Sequence, residues 1–227
     1  NYSVFNKKLN LVCLAADGLL GYVMKFESNG QNEIFFVDGA EHSLTQSHFD
    51  AFSSASAHFL EAFSIDNEVD VYISQRSVLH AIGNSAGVRA WHMPPSFDRD
   101  NSIVCVYVDP NSTIKEMITS LAHEIIHAWQ VDRGDFVGSL WKGTDLTHLP
   151  YRVQPWEIEA HGHQSEIAQS FFDGKLPAKS RLKEIISDTD KVFQEILNDA
   201  KLAQSKKSFM KIAKVAGAIG LGALIGM

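Results

Sequence analysis

The 227-residue chain is long enough for one sizeable domain, or one domain with appendages, and its 45% hydrophobic content is that of a globular protein. A net charge of −7 argues against a general nucleic-acid binder, so no nucleic-acid partner is expected. The charge is uneven: residues 201–227 hold five Lys and no acidic residue, which leaves 15 basic against 27 acidic side chains in the first 200.

Leu9–Ala15 is an apolar run that predicts a strand. It is too short for a signal peptide and is followed by Asp17, so a cytoplasmic location is the simplest expectation. The chain opens at Asn1 without Met, which fits removal of an initiator residue or a leader. Leu20–Glu27 and Glu33–Asp38 flank an Asn29-Gly30 turn and predict a hairpin. Residues 1–42 are therefore expected to form N-terminal strands with a sheet of their own. Cys13 and Cys105 lie in apolar strand-like runs without zinc-knuckle spacing, and read as buried free thiols. His42 and His48 read as surface polar residues.

Ser43-x-x-Gln46 predicts a helix start, and the helix runs to about Ser64. Phe49, Phe52, Phe59 and Phe63 line one face of it and are expected in the core. Glu68–Ser74 alternates around Val69, Val71 and Ile73 as a strand. Arg89–Asp100 is polar, contains prolines and reads as irregular, with Trp91 and His92 as loop residues. Ser102–Asp109 is the clearest strand in the chain. A turn at Asp109-Pro110-Asn111-Ser112 then leads to Thr113-x-x-Glu116, a capping box that opens a helix. Ile114, Ile118, Leu121, Ile125 and Ala128 form its core-facing stripe, and Arg133-Gly134 ends it.

That helix carries His123-Glu124-Ile125-Ile126-His127, an HExxH motif. Residues four apart share a helix face, so both imidazoles can reach one metal ion, with zinc the expected one. Glu124 sits beside the metal, where a general base for a metal-activated water is needed. A third protein ligand is expected from Pro155-Trp156-Glu157-Ile158-Glu159-Ala160-His161, where Pro155 suits a helix start. Glu157 and His161 share a face, and Glu159 points about 160° away from Glu157. Either Glu157 or His161 can be the ligand, with the other steadying a ring; Glu157 is favoured.

Between the two helices, residues 134–155 predict a long loop with a short helical turn at Phe136–Trp141. His148, Tyr151 and Arg152 are its candidate donors to an oxyanion, Tyr151 first, with His163 an alternative on the second helix. That helix continues to Phe172 and stops at Asp173-Gly174. Ala178 to about Gln204 predicts a long amphipathic helix. It is expected to pack across the domain or to form an oligomer seam. In the tail, Lys206, Lys207, Lys211 and Lys214 precede an apolar Gly-rich end from Val215. That end is too short for a bilayer span but suits a membrane surface, a partner or the domain's own surface.

HEIIHAWQ followed by PWEIEA resembles the zincin metallopeptidases of the gluzincin type, and most closely the minimal phage-encoded or ImmA/IrrE-like peptidases. The resemblance covers roughly residues 69–172. The metzincin pattern is absent, because positions 128–133 read Ala-Trp-Gln-Val-Asp-Arg. The resemblance implies an α+β fold: a zincin-like domain with a small mixed or antiparallel sheet, an active-site helix and a second ligand-bearing helix. It implies Zn2+ on His123, His127 and Glu157, Glu124 as the catalytic base, and a peptide or protein substrate. Tyr151, the first of the loop donors, is the second expected catalytic residue. It also implies that the strand at 102–108 is the sheet edge along the substrate cleft. His161 stands where gluzincins often carry an acidic or amide residue.

The expected organisation is thus N-terminal strands in 1–42, the zincin-like domain in 43–177, a long helix in 178–205 and the tail in 206–227. The expected activity is zinc-dependent peptide hydrolysis. The alternative is a structural or delivery component, of a phage particle or a secretion apparatus, with a silent site and with Lys206–Met227 as its working part. That alternative would place the protein in a virion. A zinc-binding but inactive module is the third expectation.

Overall fold

The computed structural model describes residues 10–16, 19–25, 33–37, 45–74, 90–94, 102–107 and 112–202. The tail from 203 onward lies outside the described residues, as do the expectations attached to it. So do the side chains of Cys13, His42, Phe49 and Trp91.

In chain order the elements are β1 (Asn10–Ala16), β2 (Leu19–Lys25), β3 (Glu33–Val37), α1 (Gln46–Phe63), β4 (Val69–Ser74), β5 (Ala90–Met93) and β6 (Ser102–Tyr107). There follow α2 (Ile114–Asp132), the short β7 (Phe136–Val137), β8 (Leu140–Trp141) and β9 (Thr144–Asp145), a 3-10 turn at Tyr151–Val153, α3 (Pro155–Phe172) and α4 (Lys179–Leu202). The mixture of helices and small sheets is α+β.

Six strands form one mixed sheet in the order β1-β2-β3-β4-β6-β5. β1, β2 and β3 run antiparallel, β3, β4 and β6 run parallel, and β5 closes the sheet antiparallel to β6. Two expectations are corrected here. The N-terminal strands do not make a separate sheet, because β3 pairs with β4 from Ile34↔Val71 to Val37↔Ser74. Nor is the strand at 102–108 the sheet edge. β6 is bonded on both sides, to β4 and to β5, and β5 holds the outer position. β5 was read as irregular because Ala-Trp-His-Met is too short to display a period of two.

α1 starts two residues later than the Ser43 signal suggests. Thr45 is its N-cap, and His48 Nδ1 accepts from the Thr45 N–H at 3.2 Å. His48 is thus a capping residue at the surface. α2 begins as expected: the Glu116 N–H donates to Thr113 Oγ1 at 3.2 Å, and the Thr113 N–H donates to Glu116 Oε2 at 2.7 Å. Gly134 follows its end with φ of 74°, a left-handed backbone that costs an L side chain strain.

α2 lies at the centre. Ile118, Leu121 and Ile125 are fully buried against Phe52 and Phe59 of α1 and the sheet residues Val71, Ile73, Val104 and Val106. Each such aliphatic side chain contributes about 1.5–3 kcal/mol of burial free energy. Cys105 is buried in β6. Leu182 and Ile185 of α4 join this core, and Val192, Phe193 and Ile196 build a second one with Trp141, Leu149 and Trp156. The apolar face of α4 is therefore used within the chain.

Residues 136–145 are not a helical turn but a three-stranded sheet, β7-β8-β9. The β8–β9 hairpin turns through Lys142 (φ 46°) and Gly143 (φ 77°), two successive positive φ angles as a two-residue primed turn requires. Lys142 ties this small sheet to α4 through Asp190 and lies 3.3 Å from Asp135. Among the described residues no helix is long and apolar enough to cross a membrane.

Candidate metal centre

α2 and α3 pack side by side and bring four ring or carboxylate groups together. His123 Nε2 and His127 Nε2 are 3.1 Å apart. Glu157 Oε2 lies 3.5 Å from His123 Nε2, and Glu157 Oε1 lies 3.5 Å from His127 Nε2. Donor atoms about 2.0–2.1 Å from a tetrahedral ion sit about 3.3–3.4 Å from one another, so these separations fit one small ion. His161, one turn beyond Glu157 on α3, places Nε2 3.7 Å from Glu157 Oε2. His123, Glu157 and His161 also form a group whose ligand atoms all lie within 4.8 Å, and which can hold a metal ion.

The rings are oriented from behind. Gln130 Nε2 donates to the Trp156 carbonyl at 3.0 Å and to Glu159 Oε1 at 3.1 Å. Its Oε1 is therefore the atom left facing His127 Nδ1, at 2.8 Å. An amide oxygen only accepts, so Nδ1 carries the proton and Nε2 keeps its lone pair for the front of the ring. Gln164 Oε1 stands 3.0 Å from His123 Nδ1 and fixes the second ring in the same way. Burial lowers His123 and His127 to about 4, which keeps both imidazoles in the neutral, ligating form at neutral pH. His161 is lowered to about 4 as well, first by burial and then by His123.

Glu157 is 5% exposed, and its Oε2 has no hydrogen-bond partner among the described residues. A buried carboxylate oxygen left without a donor is costly unless a cation satisfies it, so the donor set fits a metal ion. Glu159 faces the other way, as the helical wheel required. Its side chain is buried and accepts from Arg133 Nη2 at 2.8 Å. Arg133 also pairs with Asp135 at 2.7 Å and lies 4.0 Å above the Trp129 ring.

On the open side lies a cleft of about 360 Å³. Glu124, His127, Glu157 and Tyr151 line it together with His92 of β5 and Trp156. Glu124 is buried, and its carboxyl is held well above the usual range, first by burial and then by the charge of Glu157. Tyr151 is half-exposed in the 3-10 turn and shares the cleft with Glu157. Burial raises the phenol's pKa, and the Glu157 carboxylate raises it further, so Tyr151 remains a donor. His92 stacks on His127 with centroids 6.2 Å apart.

The five residues expected from sequence, His123, Glu124, His127, Tyr151 and Glu157, thus meet at one place. His148 and Arg152 are exposed and line no part of the cleft, and His163 is buried beside Glu166 and Arg181. Gln130, Gln164, Glu159 and Arg133 were not foreseen as parts of the site. The available signal was spacing: Gln130 is three residues from His127, and Gln164 is seven from Glu157, both on the ligand faces of their helices. No protein-family model, curated protein or solved structure matches the chain.

Proposed function

We propose that this protein is a zinc-dependent metallopeptidase with a zincin-like site: His123, His127 and Glu157 hold the metal and Glu124 is the general base. The observation that carries the reading is the convergence of two neutral imidazoles and one unsatisfied buried carboxylate, within 3.1–3.5 Å, beside a cleft that Glu124 enters. When bound, zinc supplies a Lewis acid that lowers the pKa of water toward neutrality. Imidazole and carboxylate donors suit zinc.

The residues of the chain do the rest. Gln130 and Gln164 hold the two rings with Nε2 forward. Glu124, buried at the edge of the cleft, takes the proton of the attacking water. It then delivers that proton to the leaving amine. Tyr151 remains protonated and offers its O–H to the oxyanion that forms as the scissile carbonyl is attacked. β5, outermost in the sheet and carrying His92 on the cleft, offers main-chain groups to an extended peptide substrate.

Metal analysis and peptide cleavage on the same samples test this. The wild type should bind one zinc per chain and cleave. Glu157→Ala should lose both properties. Glu124→Gln should keep the metal and lose about 10²–10⁴-fold in kcat. A Glu124→Gln variant that cleaves at the wild-type rate would sink the mechanism.

A further inference from the structure

We propose that His161 is a fourth protein ligand of the same metal, at the back of the site, so that the ion is held by three imidazoles and one carboxylate. This rests on the reading above only in assuming that a metal occupies the cluster.

The usual task of a polar residue behind a metal site is to steady a ligand ring. That task is already filled. His127 Nδ1 is held by Gln130 at 2.8 Å, and His123 Nδ1 by Gln164 at 3.0 Å. His161 has nothing of that kind left to hold. Its Nδ1 is buried without a hydrogen-bond partner among the described residues. Its Nε2 is 3.7 Å from Glu157 Oε2, beyond hydrogen-bond length. It is directed at the same carboxylate oxygen that faces His123 Nε2, and its ring centroid is 4.5 Å from that of His123. Among the described residues this imidazole makes no hydrogen bond through either nitrogen, and its place beside Glu157 and His123 is that of a ligand.

The position is also compatible with an open front. The cleft is lined by Glu124, His127, Glu157 and Tyr151, whereas His123 and His161 do not line it. His161 therefore does not take up the Glu124 side of the cluster, and with four protein donors a water there would make the ion five-coordinate. The helix dictates the pairing: residues 157 and 161 are one turn apart, so the backbone that aims Glu157 aims His161 as well.

X-ray absorption at the zinc edge of the zinc-loaded full chain counts the imidazoles directly. Three are expected in the wild type and two in His161→Ala. Zinc affinity in His161→Ala should fall by more than the roughly 10–100-fold that loss of an outer partner costs. Two imidazoles in the wild type would overturn the proposal without the need of any variant. So would a His161→Ala protein with an unchanged imidazole count and an affinity within about 10-fold of wild type. Three imidazoles in a protein that cleaves no peptide would uphold His161 and remove the peptidase reading. A wild type that takes up no zinc would remove both.

Discussion

The two histidines of the HExxH helix stand four residues apart and are held in different ways. His127 is backed by a buried chain: Gln130 accepts from its ring, Glu159 accepts from Gln130, and Arg133 donates to Glu159 while pairing with Asp135. The Nδ1 of His123 is held by Gln164, which is only partly buried on α3. One ring is backed by a connected buried network and the other by a single bond to a partly buried amide. In a buried network each member satisfies the next, so removal of one strands its neighbour, whereas a lone peripheral bond can be replaced by water.

The largest effect should come from the deepest link. Glu159→Ala removes the partner of Arg133 and of Gln130 at once, and the Glu159 side chain is 0% exposed against 12% for Arg133. A guanidinium stripped of a buried partner costs about 3–5 kcal/mol, and the remaining pair with Asp135 keeps the expectation at the lower end. Glu166→Ala breaks a closer, bidentate pair with Arg181, but at 45% and 35% exposure it should cost less than about 1 kcal/mol. Denaturant unfolding of the two variants measures the contrast. Equal losses would mean that the chain behind His127 is not a buried network in the energetic sense.

Metal affinity should sharpen the same contrast at a smaller scale. Gln130→Ala frees the His127 ring and leaves the Trp156 carbonyl and Glu159 each short of a donor. Zinc affinity should fall by roughly 10–100-fold. Gln164→Ala should cost about 10-fold or less, because Gln164 is only partly buried and water can take the place of its amide. Competition titrations with a chelator read both. A greater loss for Gln164→Ala would reverse the ranking of the two rings.

The division between what could be read from sequence and what could not follows similar lines. The His123, His127 and Glu157 faces and the opposed direction of Glu159 were legible, because helical spacing alone fixes which side chains share a face. The caps were legible at Thr113 and Pro155, where the residue types carry the mechanism. β5 and the β7-β8-β9 sheet were not, because elements of two to four residues show no period. Their shape comes from pairing with β6 and from positive φ at Gly138, Lys142 and Gly143. The edge position passed to β5 for the same reason: strand order depends on pairing between distant segments, which β6 itself does not encode. Gln130 and Gln164 stand on legible faces, but an amide there gains meaning only once the facing helix is in place.

The smallest effect uses a ring outside the two metal helices as a reference, one held without any metal-binding role. His58 of α1 is partly buried, and its Nε2 lies 3.0 Å from Ser170 Oγ on α3. Burial lowers its pKa from 6.5, with Glu61 opposing. Above pH 6.5 the ring is neutral in both the folded and unfolded states, and the stability is fully present. As pH falls through 6.5 the unfolded chain takes up a proton before the folded one, so stability drops until the folded pKa is passed. His58→Gln keeps a polar side chain and removes that titration. The wild type should thus lose more of its Tm than the variant between pH 7.5 and pH 5, and the difference should be the same with and without zinc. A zinc-dependent difference would mean that His58 is coupled to the metal centre through α3 and belongs to the site.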